Sequence, residues 1–354
     1  MPDAKRVLLT SFVSRREDLA VDLGTALKTV EWQSEGDIAR ALRRLGHTTE
    51  ICLLYDDVEP LARAVREWKP DIVFNLVDEF RGQSANDWKI AGFLEILGVP
   101  YTGCGPRGLL LSKDKVLTKQ VLPHHRIRVP DAFTIAPGEG TKKPARLAWP
   151  LIVKTLTEEG SRGISQASIV RSDEELSERA SFIHRTFNQP ALVEEFIEGR
   201  ELYSSVLGNA RLRVFPLREI TFGTQEADAP HIASFSAKWD DEYRKRWGIK
   251  NDFAKDVPPD LARKLVRLAR RTARALNIDG YARFDWRISA NGQPVLLEAN
   301  PNPFLAKKED FALSAEAGGL SFARLCSRIL RLGFERSGVT PIKASQGTTS
   351  ATCA

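Results

Sequence analysis

The sequence predicts an α/β chain of two or three domains, on three observations. Over residues 5–97, apolar runs alternate with helical repeats, the strand–helix–strand order that builds a parallel sheet with helices on its faces. Farther on, apolar runs come in pairs around turn residues, as antiparallel hairpins do. The chain has 354 residues, more than one compact core ordinarily holds.

Composition narrows the class. A hydrophobic content of 42% with 28% charged residues is that of a soluble globular protein. The four cysteines, Cys52, Cys104, Cys326 and Cys353, are scattered and form no zinc spacing. With no signal peptide and no long apolar run, the expectation is a cytoplasmic protein with reduced thiols and no membrane partner. A net charge of +6 suits either nucleic acid or a pocket for an anionic nucleotide. No zinc finger, aromatic-interleaved basic stripe or RNA-binding signature is present, so nucleic acid is not an expected partner.

In order, KRVLLT (5–10) reads as a buried strand, and residues 11–33 are polar with no clear period. A helix over 35–45 stops at Gly46; strands at 49–55 and 70–77 flank a helix at 60–68, and another helix covers 86–97. Gly103, Gly105 and Gly108 spell the dinucleotide fingerprint GxGxxG. They follow several elements rather than a first strand and have no acid where one belongs, so a turn between domains is expected. A helix over 112–122 carries Lys113, Lys115 and Lys119. A strand at 129–135 and a surface loop at 137–144 precede WPLIVK (149–154), a strand ending in Lys154. The following loop contains Gly160, Ser161 and Gly163; it reads either as backbone amides laid over phosphates or as a plain hairpin loop. After a helix at 172–187, the run ALVEEFIEGRELYSSVLGN gives two strands, the first mixing Glu194 and Glu195 with Phe196 and Ile197. FPLREI (215–220), a loop at 221–237 that could serve as a lid, and Lys238-Trp239 lead to an arginine-rich helix at 258–276 whose arginines read as its solvated face. A helix at 320–334 packs back, and 338–354 reads as a disordered tail.

The most informative stretch is YARFDWRI-SANGQ-PVLLEAN (281–300). A two-residue turn at Asn291-Gly292 sets Asp285 opposite Glu298 and Arg283 opposite Asn300, all on one face. The other face then carries Phe284, Trp286 and Ile288 against Ala299, Leu297 and Val295. Two carboxylates ~5 Å apart at an effective dielectric of ~20 repel by roughly 3 kcal/mol. Two readings remain open: a divalent cation held by Asp285, Glu298 and the Asn300 amide, or a solvent-facing hairpin in which Arg283 neutralises one acid.

The order of these motifs, from Lys154 and the glycine-rich loop through VEEFIEGRE, PLREI, AKW and ARFD to LLEANPNP, resembles that of ATP-grasp enzymes. The nearest match is to the D-alanine–D-alanine ligase family, from about Val73 to Leu330. The resemblance implies a three-domain ATP-grasp fold, an N-terminal parallel α/β domain (1–112) plus two α+β subdomains (113–202 and 203–337) gripping ATP. It implies that Lys115, Lys154 and Lys238 hold ATP phosphates beneath the loop carrying Gly160, Ser161 and Gly163. Glu194, Glu195, Phe196 and Ile197 would read the adenine edge between Ile152 and Leu297, and Glu201 would take the ribose. Asp285, Glu298 and Asn300 would bind Mg²⁺, two ions with Mn²⁺ as a substitute, and Arg283 would steady charge on the substrate carboxylate.

The implied chemistry joins a small-molecule carboxylate to an amine through an acyl phosphate, and a homodimer is the candidate assembly. Both substrate ends depart from the family. The first strand runs into SFVSRRED in place of a GG-x-S-x-E turn whose glutamate takes the first substrate's amino group. Trp239 stands at a tyrosine position, and NPNPFLAKKEDF puts Asn302, Lys307, Lys308 and Asp310 where small and polar residues belong. The expectation is therefore a ligase for other amino-acid-like substrates. The alternatives are a true D-alanine–D-alanine ligase of peptidoglycan synthesis and a non-catalytic nucleotide sensor.

Overall fold

The structure, a computed structural model, describes residues 3–158, 160–223 and 232–338. The expected tail therefore lies outside the described residues from 339 on, as does most of the expected lid, 224–231. Among the described residues the chain builds three sheets.

The first is parallel, in the order β2-β1-β3, from β1 (Arg6–Phe12), β2 (Thr48–Leu54) and β3 (Ile72–Asn75). The helices of this part are α1 (Leu23–Ala26), α2 (Gln33–Arg44), α3 (Glu59–Trp68) and α4 (Asp87–Ile96). The unperiodic stretch 11–33 holds a short 3-10 turn, Arg16–Ala20, as well as α1. Next, α5 (Pro106–Lys113) and α6 (Lys115–His124) break the expected single helix at Asp114, whose carboxylate caps α6 by accepting from the amides of Val116 and Leu117. The GxGxxG glycines are packing devices: a Cβ on Gly103 would come within 2.6 Å of the Asn302 side chain.

The second sheet is β4 (Ala132–Ile135), β5 (Leu151–Thr155), β6 (Ile169–Val170) and β7 (Ala191–Glu195), ordered β4-β7-β5-β6 and backed by α7 (Asp173–Phe187). Alternation along its strands sorts the residues cleanly. Leu151, Val153, Ala191 and Val193 join a core of their own with Leu176, Ala180 and Ile183 of α7. Ile152, Lys154, Leu192 and Glu194 take the opposite face.

The third sheet has six strands: β8 (Arg200–Leu207), β9 (Arg213–Val214), β10 (Arg218–Thr221), β11 (Lys250–Phe253), β12 (Tyr281–Ile288) and β13 (Pro294–Pro301). Its main path runs β11-β10-β8-β12-β13. The remaining helices are α8 (Phe235–Trp239), α9 (Asp241–Arg246), α10 (Pro259–Ala275), α11 (Asp310–Ala317) and α12 (Phe322–Arg336). Leu202, Phe284 and Trp286 share one buried cluster with Leu265 of α10 and with Leu8 and Val73 of the first sheet. The indole of Trp286 donates to Ser204 Oγ at 2.8 Å, which satisfies its one polar atom inside that core. The α10 arginines Arg263, Arg267, Arg270, Arg271 and Arg274 are exposed, as its apolar stripe requires. Among the described residues no helix is long and apolar enough to cross a membrane.

The central hairpin reaches the expected pairing by a different route. Its loop is not the two-residue turn expected. Ser289 pairs with Gln293 and the amide of Gly292 donates to Ser289 O, with Gly292 at φ +71°, a conformation glycine adopts without strain. That longer loop shifts the register by one, and a β-bulge between Asp285 and Trp286 shifts it back. Asp285 therefore does face Glu298, and Arg283 faces Asn300. Two details change. Leu296, not Leu297, opposes Trp286 in the core, and Val295 opposes Arg287 on the other face.

Candidate active site

The strand faces left over by the cores meet across a cleft. Lys154 on β5 and Glu194 on β7 are diagonal neighbours of one face, and Lys154 Nζ lies 2.7 Å from Glu194 Oε2. Lys119, one turn along α6 from Lys115, holds the other carboxylate oxygen at 2.9 Å. Burial alone would raise the Glu194 carboxyl, but the two ammoniums outweigh it and hold it down to about 2. Burial and the neighbouring Lys154 push Lys119 down, whereas Lys154 goes up against burial because Glu298 and Glu201 add to Glu194. Glu194, expected at the adenine edge, is thus occupied in fixing two lysines.

Opposite, β8, β12 and β13 present a continuous polar face. Arg287 sits across from Glu201 and bonds its carboxylate at 2.8 Å; Tyr203 donates its hydroxyl to the other oxygen at 3.0 Å. Arg283 grips Asp285 with two bonds, 2.7 and 2.9 Å, its guanidinium 4.8 Å from the centre of the Tyr203 ring. Burial raises the Asp285 carboxyl despite that arginine. Glu298 goes the other way: burial would raise it, but Lys115, Lys238 and Lys154 together bring it below its ordinary value. Lys115 Nζ lies 3.5 Å from Glu298 and donates to the carbonyl of Glu158 at 2.6 Å.

Most of these groups line one open cleft, although Lys119, Tyr203 and Arg283 stand behind its wall. Its walls include Lys115, Ile152, Lys154, Ser161, Glu194 to Ile197, Glu201, Lys238, Asp285, Leu297 and Glu298. The bulge turns Leu297 out of the core into this space, where the resemblance had put it. The loop carrying Gly160 and Gly163 is pinned over one side: Ser161 Oγ donates to Ala233 O at 2.7 Å, Trp239 Nε1 to Gly160 O at 2.9 Å, and Ser84 Oγ to Thr157 O at 2.9 Å. Arg162 of this loop reaches Glu79, in the segment after β3, at 3.4 Å.

Two observations bear on a cation. Among the described residues no cluster of three or more His, Cys, Asp or Glu side chains could hold a metal. The Asp285–Glu298–Asn300 set contains two carboxylates and an amide, and the buried Asn300 Nδ2 has no hydrogen-bond partner. Amide ends are interchanged by a simple flip, which would present oxygen instead, so the donor set fits a hard divalent ion.

The substrate-end residues scatter. Asn302 Oδ1 accepts from the amide of Cys104 at 2.8 Å, tying the exit of β13 to the first unit. Asp310 is buried between Arg218 Nε at 3.0 Å and Asn251 Nδ2 at 2.7 Å, so it holds the fold together and does not face the cavity. Lys307 and Lys308 are exposed, and neither lines the cavity; the Lys307 amide bonds Asp37 at 2.9 Å. Trp239 is half exposed over Gly160.

Sequence reasoning placed Lys119 on a helix but gave it no role, although its four-residue spacing from Lys115 was the available signal. It also missed Glu35. This residue of α2 accepts a 2.5 Å bond from Ser11 Oγ at the carboxyl end of β1, and burial raises its carboxyl.

Comparison with known proteins gives the chain a family. The family profile described as D-ala D-ala ligase C-terminus matches residues 124–331. A D-alanine--D-alanine ligase of Desulforudis audaxviator is 32% identical over 316 residues, 88% of this chain and 96% of that protein. An uncharacterized protein of Sinorhizobium fredii is 31% identical over 306 residues, 84% of this chain and 87% of its own. The solved D-alanine--D-alanine ligase from Bacillus anthracis complexed with ATP shares the fold at a TM-score of 0.73 and 19% identity, covering 95% of this chain and 99% of that one. With a profile spanning more than half its length and a relative of that similarity, this chain belongs to the D-alanine–D-alanine ligase family of ATP-grasp, carbon–nitrogen bond-forming ligases.

Proposed function

We propose that the protein joins the carboxylate of one amino-acid-like metabolite to the amine of another, using ATP and passing through an acyl phosphate. The observation that carries this reading is the convergence of Lys115, Lys154, Lys238, Asp285 and Glu298 on one cavity. Three ammoniums suit a triphosphate, and the two acids suit the divalent ion that travels with it. Adenine would lie between Ile152 and Leu297 against the backbone of 195–197, with the ribose at Glu201. Asp285, Glu298 and Asn300 would hold Mg²⁺, as one ion or two. An ion bound there would neutralise charge on the phosphates.

The chain's own part is positioning. Lys154, fixed by Glu194, and Lys115 hold the phosphates, while the loop over 160–163 excludes water. The substrate carboxylate attacks the γ-phosphorus and ADP leaves; a neutral amine then attacks the acyl carbon, phosphate departs and the amide nitrogen gives up a proton, while Arg283 steadies the charge on the carbonyl oxygen. Glu35 is the acid we assign to the first substrate's amino group. It supplies from α2 the acid that the family's GG-x-S-x-E turn provides, at the carboxyl end of a parallel sheet where ligands gather.

The test is product analysis by mass spectrometry after incubation with ATP, Mg²⁺ and pooled amino acids. A new amide formed with stoichiometric ADP supports the reading. ATP turnover driven by D-alanine alone would instead make this a D-alanine–D-alanine ligase. ATP binding without any turnover would leave only a nucleotide sensor.

A further inference from the structure

Glu194 has more positive charge around it than neutrality requires. Its carboxylate is buried in the wall of the cleft, and Lys154 alone would balance it through the 2.7 Å bond to Oε2. Lys119 adds a second ammonium, 2.9 Å from Oε1. That approach lies off hydrogen-bond geometry, since Oε1 has no hydrogen-bond partner, so Lys119 brings charge rather than a directed bond. A surplus buried cation costs stability unless it meets an anion. Among the described residues Lys119 has no ion pair except Glu194, and it does not line the cleft.

Helix α6 sets this arrangement. Lys115 and Lys119 lie one turn apart on it, so both leave the same side of the helix. Lys115 lines the cleft, whereas Lys119 stops at Glu194 behind the wall. Lys154 also lines the cleft, and Glu194 is its one hydrogen-bond partner among the described residues. The rest of its N–H donors are left for a ligand.

Charge decides what Lys154 can offer that ligand. A lone Lys154–Glu194 pair is neutral to a phosphate across the cleft, with the ammonium drawn towards the acid. With Lys119 on the other oxygen, two cations share one anion and the group carries +1, two lysines less one glutamate. In a buried, low-dielectric wall a phosphate feels that difference strongly.

Resting on the ATP reading of the cleft, we propose that Lys119 is a positioning residue for the nucleotide phosphates. By engaging Glu194 from behind, it leaves the Lys154 ammonium with net charge and free donors to turn towards them. Lys119 itself touches neither nucleotide nor substrate.

The experiment titrates MgATP and adenosine separately into the full chain by calorimetry. Lys119→Met removes the charge but leaves a matched Glu194–Lys154 pair. Its Kd for MgATP should rise ~10-fold or more, the weight of one charge-assisted contact. Its Kd for adenosine, which has no phosphates, should stay within about twofold of the wild type. Lys119→Arg keeps the charge and should preserve the preference for MgATP over adenosine, which also holds the test open if the methionine variant does not fold. The decisive variant combines Lys119→Met with Glu194→Gln, which puts the group back at +1 on Lys154 alone. It should bind MgATP more tightly than Lys119→Met does. A merely structural lysine predicts the opposite, losses that add and both ligands weakening together. Either result would overturn the proposal, as would an unchanged MgATP affinity in Lys119→Met or a lost preference in Lys119→Arg. A wild-type protein that binds MgATP no more tightly than adenosine would sink the ATP reading itself, a distinguishable result.

Discussion

The nucleotide end and the substrate end of this cleft are built differently. At the nucleotide end most functional side chains sit on a strand or helix whose opposite face is core: Ile152, Lys154 and Glu194 back onto Leu151, Val153 and Val193, while Arg283, Asp285 and Arg287 back onto Phe284 and Trp286. At the substrate end, Asn302 to Asp310 leave the last strand as a connecting segment whose members are drawn into local contacts, Asn302 with Cys104 and Asp310 with Arg218. A side chain on a paired strand can be placed by counting. A side chain on a connecting segment is placed by whatever it happens to meet.

That contrast can be broken or sharpened by mutation, and the largest effect belongs on the hairpin. Glu298→Gln or Asp285→Asn should cut ATP turnover by ~10³-fold with little change in fold, measured as ADP release. Next is the buried triad. Glu194→Gln leaves Lys119 and Lys154 facing each other and should destabilise the protein by about 3–5 kcal/mol in denaturant melts.

The same residue has an acid signature. Because the folded carboxyl is held down to about 2 from an ordinary 4.5, its stabilisation is complete above pH 4.5 and is lost as pH falls towards 2. The denaturation midpoint of Glu194→Gln should depend less on pH across that window than the wild type does; equal slopes would contradict the pairing. A smaller effect follows at the other end. Asp310→Asn should cost about 1–3 kcal/mol of stability, since it leaves Arg218 buried with fewer partners, and should shift amino-acid preference only through that loss. Last come Lys307→Ala and Lys308→Ala, exposed and outside the cavity, which should change stability by no more than about 0.5 kcal/mol. They should also leave substrate choice alone.

The hairpin shows how far sequence reading reaches. A two-residue turn assumed at Asn291-Gly292 paired Asp285 with Glu298, but that turn was one residue too short and the bulge at Leu297 restored the pairing. A bulge has no composition of its own, so nothing in LLEAN announces it, and only the double demand on Leu297, core residue and adenine wall, hinted that one was needed. Most strands and the longer helices were legible because each has one apolar face, whereas β11 (Lys250–Phe253) lay inside a stretch read only as polar and charged. Glu35 was not, since 24 residues separate it from Ser11 and the stretch between has no period. Asp310 and Asn302 were read as substrate groups because their polarity was visible and their partners, Arg218 and Cys104, lie far away in the chain.

The central claim is that two opposed acids and an amide on one ribbon accommodate a cation carrying nucleotide phosphates. Calorimetric titration of ATP into the protein, with Mg²⁺ and again with EDTA, tests it most directly. Mg²⁺ should tighten ATP binding to the wild type and have no such effect on Glu298→Gln, whereas the same metal-dependent gain in both proteins would contradict the account.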